Sequence, residues 1–336
     1  MLQTEYLTPA QRSWLDLRFG MFVCYNLNTF YGRGWTDGTC SPAAVDPRRF
    51  APEQWAEVAR RGGMRYAVIV AKHHDGFCIW PTRKTDYCIT ASPFHGDMLK
   101  QIIRAFQGVG IRVGIYYSLW DRHEPCYQDD DAYSRFMEDQ LTELLSDYGE
   151  VIEFWFDGAW DKGNYNWFDL GRWRWPELYE HIKRLQPHCL VLNNPTLAHR
   201  GEMLTWPVDL NCIEGIHHIR DGVEIDPDIR ALRRVGTVGQ DVEDVSWPVV
   251  HLPAETCDTI GGRWFHTYGP EGPRYRSVET LREWLHVARR NGGNLALSVP
   301  PSPEGVIPDE AGEILQALGE LLQHEKSTTR GSERNE

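Results

Sequence analysis

A carboxylate at the end of an apolar stretch is the residue of this sequence best suited to chemistry. Asp157 follows Phe154, Trp155 and Phe156, and a carboxylate among apolar neighbours is costly unless it is hydrogen-bonded or used. Hydrolysis of a glycosidic bond uses such a group, because one carboxylate of a pair stays ionised as nucleophile while the other is protonated as acid. The alternative is a strand-end aspartate that only caps the next helix.

Polar and aromatic residues end further apolar stretches in the same way. Residues 72–77 and 116–120 lie at the ends of two such stretches, and Glu214 ends a third. Functional side chains of a parallel barrel collect where its strands end, so we expect these groups to share one mouth with Asp157. The chain also has 14 Trp and 14 Tyr, whose flat faces suit sugar rings as well as ordinary core packing.

The adjacent histidines His73 and His74 could bind a metal or donate hydrogen bonds to a ligand. Neighbouring residues of a strand point to opposite faces, so both cannot bind one ion unless the chain bends. No HExxH or His-x-His pattern accompanies them. The sequence therefore predicts hydrogen-bonding histidines without a metal, and a packed core position stays open for one of the two.

Amphipathic stretches that end at glycine alternate with short Val-, Ile- and Leu-rich stretches along the chain. Glycine supplies the left-handed end of a helix, and the apolar stretches suit strands that are buried on both faces. The predicted strands are 18–23, 65–71, 111–118, 151–158, 188–194, 208–213, 294–299 and a less apolar stretch at 231–238. Eight strands that alternate with helices predict an α/β fold, a TIM-like (β/α)8 barrel. No GxGxxG or P-loop turn indicates a nucleotide cofactor.

Composition and charge narrow the classes of partner and the compartment. The net charge is −13, and an acidic chain without a basic run is a poor partner for nucleic acid or an anionic membrane. The N-terminal residues show no secretion signal, and no stretch of 18 apolar residues follows. Eight cysteines without a CxxC pair are typical of reduced thiols. We therefore expect a cytoplasmic protein, for which a homo-oligomer stays open.

The motifs around these residues resemble those of the retaining alpha-L-fucosidases, glycoside hydrolase family 29. The resemblance covers about residues 16–323 and rests most on AKHHDGF (71–77) together with FWFDGAW (154–160). Five further motifs support it: LRFGMFV (17–23), Asn28-Thr29-Phe30, IYYSLWDRHE (115–124), PAETCDTIGGRWFH (253–266) and NGGNLALSVPPSPEGVIPDE (291–310). The resemblance implies one catalytic barrel over residues 1–324 without the C-terminal β-sandwich of many relatives. The polar composition of residues 325–336 predicts a disordered tail.

The resemblance also implies a reaction and its residues. A terminal alpha-L-fucose, or a closely related α-L-sugar, would leave a glycoside or oligosaccharide by double displacement with retained configuration. Asp157 would be the nucleophile, and no cofactor or metal is implied. The side chains that match the family's sugar pocket are His73, His74, Trp80, Tyr117, Trp155, Glu255 and Trp264.

The acid/base is the carboxylate that the resemblance aligns least well. Glu214 is the first candidate, because DLNCIE (209–214) is similar to the strand-then-Glu segment that supplies it in relatives. Glu255 is the second candidate and Glu202 the third. A solvated glutamate is the alternative for each.

Three departures from the family pattern affect the sugar rather than the reaction class. Relatives usually carry His where this chain has Cys24, and many carry Glu where it has Gly34; the common Asn-Asp-Arg is Asn193-Asn194-Pro195 here. A missing partner for a sugar hydroxyl can change specificity by several kcal/mol. The alternatives are therefore a hydrolase for an L-galactoside or L-glucoside, and an inactive carbohydrate-binding barrel.

Overall fold

A computed structural model of the chain describes residues 7–159, 173–194, 207–216, 252–269 and 271–332. Eight parallel strands form one sheet in the order β5-β4-β3-β2-β1-β8-β7-β6. They are β1 (Phe19–Val23), β2 (Tyr66–Lys72), β3 (Arg112–Ser118), β4 (Glu153–Asp157), β5 (Leu190–Asn193), β6 (Asn211–Glu214), β7 (Ala254–Thr259) and β8 (Gly293–Ser298). A parallel bridge between Leu192 of β5 and Leu210, the residue before β6, joins the two ends of this strand order. The sheet therefore curls into the predicted barrel.

Helices surround this barrel and connect its strands. They are α1 (Pro9–Leu15), α2 (Leu27–Tyr31), α3 (Pro52–Arg61), α4 (Met98–Gly108), α5 (Asp130–Asp147), α6 (Trp175–Leu185), α7 (Val278–Arg290) and α8 (Asp309–Ser332). The Asp97 side chain caps α4 by accepting from the Lys100 backbone N–H at 2.9 Å. None of the helices among the described residues combines the length and apolar character of a membrane-crossing segment.

Strand side chains alternate between the barrel interior and the layer under the helices, as the pleat requires. On β3, Tyr116 joins an interior cluster with Phe22, Val70 and Trp155, whereas Tyr117 joins the cluster under the helices. Helix α1 contributes Trp14 to the interior cluster, and the Trp14 carbonyl accepts from Asn294 Nδ2 at 2.8 Å. Helix α1 therefore lies near the N-terminal ends of the strands and leaves the C-terminal ends for the site.

One sequence prediction about an element falls outside the described residues, and another is wrong. The predicted strand at 231–238 lies outside the described residues, and the seventh strand is Ala254–Thr259. Residues 325–332, predicted as part of a disordered tail, continue helix α8. Glu325 accepts a hydrogen bond from Arg282 Nε of α7, which anchors the helix at the point where the tail was expected to begin. Residues 333–336 lie outside the described residues.

Candidate active site

The C-terminal ends of the strands surround a cavity of about 440 Å³, a volume typical of small-molecule sites. Active sites of barrels of this type lie at this end. Six side chains that the sequence assigned to the site line the cavity: His73, His74, Trp155, Asp157, Glu214 and Trp264. This cavity is therefore the candidate active site.

Strand β4 places Asp157 in the cavity through its alternating pattern. Glu153, Trp155 and Asp157 are two residues apart and therefore share one face. Glu153 is fully buried, Trp155 and Asp157 both line the cavity, and Asp157 is the last residue of the strand. The carboxylate of Asp157 thus extends from the end of a buried column into the cavity.

Three donors hold the Asp157 carboxylate. The Tyr116 hydroxyl donates to Oδ2 at 2.8 Å, while Oδ1 accepts from the Gly158 backbone N–H at 2.7 Å and from Asn194 Nδ2 at 3.2 Å. Gly158 has φ 74°, a left-handed conformation that favours glycine. A Cβ there would lie 2.9 Å from Trp120 Cβ. The turn that supplies the backbone donor therefore requires glycine.

These contacts oppose the effect of burial on the charge of Asp157. Burial raises the pKa of Asp157 above its ordinary value, and the hydrogen bonds from Tyr116, Gly158 and Asn194 lower it. Burial, and secondly the Asp157 charge, raise the pKa of Tyr116 well above its ordinary value. Tyr116 therefore stays a neutral hydroxyl donor, and all three donors favour the ionised form of Asp157.

Asn194 connects Asp157 with Glu214. Its Nδ2 atom donates to Glu214 Oε2 at 2.7 Å as well as to Asp157 Oδ1 at 3.2 Å. Since one nitrogen contacts both oxygens, the two oxygens are at most about 6 Å apart. The structure thus brings together the two carboxylates that the sequence predicted as a pair.

His74 presents an unprotonated nitrogen to the same carboxylate. Ser118 Oγ donates to the Trp120 carbonyl at 2.7 Å, which uses its one proton, so His74 Nδ1 must donate to Ser118 Oγ across 2.7 Å. Burial, and then the charges of Arg122 and Lys72, lower the pKa of His74 to about 3. His74 is therefore neutral, and its Nε2 atom, 3.6 Å from Asp157 Oδ2, is an acceptor for a ligand hydroxyl.

The His73 side chain packs against the aromatic rings of Tyr116 and Phe265. Its ring stacks on Tyr116 with centroids 5.8 Å apart, and it meets the edge of Phe265 at 4.8 Å. Burial, and secondly His74, lower the pKa of His73 well below its ordinary value. His73 is therefore a neutral wall residue of the cavity.

Aromatic rings form the remaining wall. Trp155 stacks on Tyr116 at a centroid distance of 5.3 Å and meets the edge of Phe22 at the same distance. Phe22 also meets Trp264 at 5.8 Å. Trp35 lines the cavity with 45% of its surface exposed. Faces and edges of this type suit the C–H surfaces of a sugar ring.

Three residues that the sequence assigned to the sugar pocket lie elsewhere. Tyr117 points under the helices and donates to Gln140 Oε1 at 2.7 Å, because it is on the opposite face of β3 from Tyr116. Trp80 is buried in the same outer cluster and donates to Glu143 Oε2 at 3.0 Å.

Glu255 is the third of these residues. It is fully buried in the barrel interior, where it accepts from Tyr66 and Trp155 instead of lining the cavity. A group closed off in this way cannot protonate a leaving oxygen in the cavity, so Glu255 is not in position to be the acid/base. Glu202 lies outside the described residues.

The sequence did not identify two residues that contact Asp157, namely Tyr116 and Asn194. Tyr116 could have been found by its register, since it pairs with Trp155 across β3 and β4 and so shares the interior face with Asp157. Asn194 was noted only as a departure from the family, and its contact with both carboxylates needed the structure.

The other two departures also reach the cavity. Cys24 and Gly34 line it. Burial raises the pKa of the Cys24 thiol to about 12, so this thiol is neutral and a weak hydrogen-bonding group. Among the described residues, nothing lies within 4 Å of a Cβ placed at Gly34. The described residues of this part of the wall therefore offer few polar contacts. Across the described residues, His, Cys, Asp and Glu do not form a cluster of three or more that could hold a metal ion.

Comparisons of this chain with known proteins all indicate the same family. The family model described as Alpha-L-fucosidase matches residues 41–327. Alpha-L-fucosidase 1 of Arabidopsis thaliana is 30% identical over 94% of this chain and 60% of its own length. A relative from Oryza sativa subsp. japonica is 32% identical, with 94% of this chain and 58% of its own length covered. The chain thus spans about 60% of the length of these curated relatives.

Solved structures agree with the sequence comparisons. A glycoside hydrolase 29 family member from an unknown rumen bacterium has a TM-score of 0.76 at 27% identity, covering 94% of this chain and 57% of that one. Alpha-L-fucosidase isoenzyme 1 from Paenibacillus thiaminolyticus has a TM-score of 0.74 at 25% identity, with 94% and 76% covered. From the family match, the shared barrel and the site built on it, the chain belongs to the alpha-L-fucosidase family, glycoside hydrolase family 29.

Proposed function

We propose that the chain is a retaining exo-glycosidase that removes a terminal alpha-L-fucose, or a closely related α-L-sugar, by double displacement. The observation that carries this proposal is the pair of carboxylates in the cavity, Asp157 and Glu214, joined by Asn194. Membership of the alpha-L-fucosidase family supports the sugar class.

The separation of the two carboxylates supports retention. Retaining glycosidases hold their two carboxyl groups about 5–5.5 Å apart, whereas inverting ones leave about 6.5–9.5 Å for a water molecule. The Asn194 bridge limits the two bonded oxygens to about 6 Å. This distance favours direct attack by one carboxylate over activation of a water between them.

Asp157 Oδ2 is the oxygen best placed to attack the anomeric carbon. Within the part of the chain that the structure describes, Oδ1 accepts from two N–H donors, whereas Oδ2 accepts from the Tyr116 hydroxyl alone and keeps a lone pair for the sugar. In the first step this lone pair forms the bond to the anomeric carbon while the glycosidic bond breaks. Glu214 gives its proton to the departing oxygen, and the products are a glycosyl-enzyme and the free alcohol.

The second step reverses these roles. Glu214, now ionised, takes a proton from water as the water oxygen attacks the anomeric carbon. The bond to Asp157 breaks, its electron pair returns to the carboxylate, and two inversions leave the configuration unchanged. His74 Nε2 can accept from a sugar hydroxyl beside Asp157 in both steps.

The identity of the preferred sugar depends on the part of the cavity wall that contains Cys24 and Gly34. Cys24 and Gly34 line the cavity where the family pattern has polar side chains, so the contacts to the sugar hydroxyls differ here, and an L-galactoside or L-glucoside is the second candidate substrate. An inactive carbohydrate-binding barrel is disfavoured, because Asp157 keeps three donors whose combined effect is to stabilise its charge. Cytoplasmic location and independence of metal stay predictions.

Activity on a panel of nitrophenyl glycosides tests this proposal. We expect turnover of the α-L-fucoside or of one related α-L-sugar, with little activity on the β-anomers. NMR of the first-formed product should show the α-anomer before it equilibrates. Turnover with an inverted first product would contradict retention, and binding without turnover of any glycoside would support the inactive barrel.

A further inference from the structure

A pair of glutamates lies inside the barrel, below the cavity. Glu153 of β4 and Glu255 of β7 are both fully buried. Glu153 is two residues before Trp155 and four before Asp157 on the same face of β4. Charged side chains are almost never fully buried without partners, so this pair needs a physical explanation.

Glu255 contacts the cavity wall through an indole. Trp155 Nε1 donates to Glu255 Oε2 at 2.8 Å, and the Tyr66 hydroxyl donates to Glu255 Oε1 at 2.6 Å. Trp155 lines the cavity and stacks on Tyr116, whose hydroxyl holds Asp157. A continuous series of contacts therefore runs from Glu255 through two rings to Asp157.

Glu153 also accepts a hydrogen bond from an indole N–H, but from a different tryptophan. Trp14 Nε1 of helix α1 donates to Glu153 Oε2 at 2.6 Å, and Trp14 does not line the cavity. The two glutamates therefore share burial, residue type and an indole donor, and they differ in whether that indole reaches the cavity.

The surrounding glycines provide the space for this polar layer. A Cβ at Gly114 would lie 2.5 Å from Glu153 Cγ, and a Cβ at Gly20 would lie 2.4 Å from the Tyr66 ring. Contacts this short are sterically forbidden. A larger residue at position 114 would therefore displace Glu153, and one at position 20 would displace Tyr66, the tyrosine that donates to Glu255. The interior is thus shaped around these groups.

We propose that Glu255 is a positioning residue. By accepting the Trp155 indole N–H, it fixes the Trp155 ring in the cavity wall. Through the Tyr116 ring, which stacks on Trp155, it also fixes the orientation of Asp157. The indole N–H at this depth needs an acceptor, because a buried donor without one costs about 1–3 kcal/mol. The kinetic part of the test rests on the proposed function, whereas the spectroscopic part does not.

The experiment compares matched substitutions at the two glutamates. Glu255→Met and Glu255→Gln are made beside Glu153→Met and Glu153→Gln, each in protein with ¹⁵N-labelled tryptophan. Trp155→Phe assigns the Trp155 indole resonance, and kcat is expressed per active site from a titration of folded enzyme. Methionine removes the acceptor at similar size, whereas glutamine keeps one oxygen for the indole.

We expect Glu255→Met to move the Trp155 indole resonance and to lower kcat by about 10- to 100-fold, as misplacement near reacting groups does. Glu255→Gln should also move the resonance but keep kcat within about threefold, because its oxygen still accepts from Trp155. The Glu153 variants should lose stability and leave both the Trp155 resonance and kcat near wild type.

Two outcomes would overturn the proposal. One is an unchanged Trp155 resonance in both Glu255 variants, and the other is an equal loss of kcat in the Glu153 and Glu255 variants. If Glu255→Met does not fold, Glu255→Gln alone provides the test: a shifted Trp155 resonance supports the proposal, and an unchanged one overturns it. If wild-type enzyme turns over no glycoside, the proposed function fails while the resonance still reports on the role of Glu255.

Discussion

At the scale of single residues, the site depends on which of two neighbouring tyrosines faces the cavity. Tyr116 donates to Asp157, whereas Tyr117 donates to Gln140 under the helices. The sequence predicted Tyr117, because the motif contains both residues and composition does not distinguish them. Alternation settles the choice only when the register with Trp155 is known. A shift of one residue therefore separates a site residue from a core residue.

Tyr116→Phe should lower kcat/KM about 10- to 100-fold at neutral pH, since a hydrogen bond to a charged group contributes about 1.5–3 kcal/mol. The Tyr116 hydroxyl lowers the pKa of Asp157, so its loss raises that pKa further. Asp157 acts in its ionised form, and the acid limb of the pH–kcat/KM profile should move to higher pH. Tyr117→Phe is the matched control, with an unmoved acid limb. A similar pH shift in both variants would contradict the assignment.

At the scale of elements, strand β4 and the turn after it build the nucleophile. The alternation of Glu153, Trp155 and Asp157 could be predicted from the sequence, and so could the end of the strand near Gly158. Strand β7 could not be predicted from periodicity. Its residues Ala254–Thr259 contain no Val, Ile or Leu, because this strand carries the buried Glu255 in place of an apolar side chain.

Gly158→Ala tests the turn. A residue with a Cβ at positive φ costs about 1–2 kcal/mol, and this Cβ would also collide with Trp120. We expect lower stability in chemical denaturation and a lower kcat, because the N–H that holds Asp157 Oδ1 would shift. Gly110→Ala is the control: Gly110 has φ 79°, and a Cβ there would meet nothing within 4 Å. It should lose stability alone, and an unchanged kcat in Gly158→Ala would contradict the role given to this turn.

At the scale of the whole molecule, the barrel and its mouth were the features best predicted from the sequence. Seven of the predicted strands have counterparts in the structure. Four of them, 65–71, 111–118, 151–158 and 294–299, are short apolar stretches that follow helices ending at glycine, and the stretch at 188–194 follows a helix that ends at Leu185, just before Pro187. The carboxylate pair was predicted from the strand ends and the family motifs. The Asn194 bridge and the burial of Glu255 depend on distances between strands far apart in the sequence, which no local pattern contains.

The central claim is that Asp157 forms a covalent bond to the sugar, and trapping that intermediate tests it most directly. A 2-deoxy-2-fluoro glycosyl fluoride of the preferred α-L-sugar should label Glu214→Gln, because the fluorine leaving group needs little protonation and the missing base slows release. Mass spectrometry of the digested protein should find one sugar on the peptide that contains Asp157, and none when Asp157 is also replaced by Asn. A label on another carboxylate, or turnover of this substrate by the Asp157→Asn variant at the wild-type rate, would contradict the account.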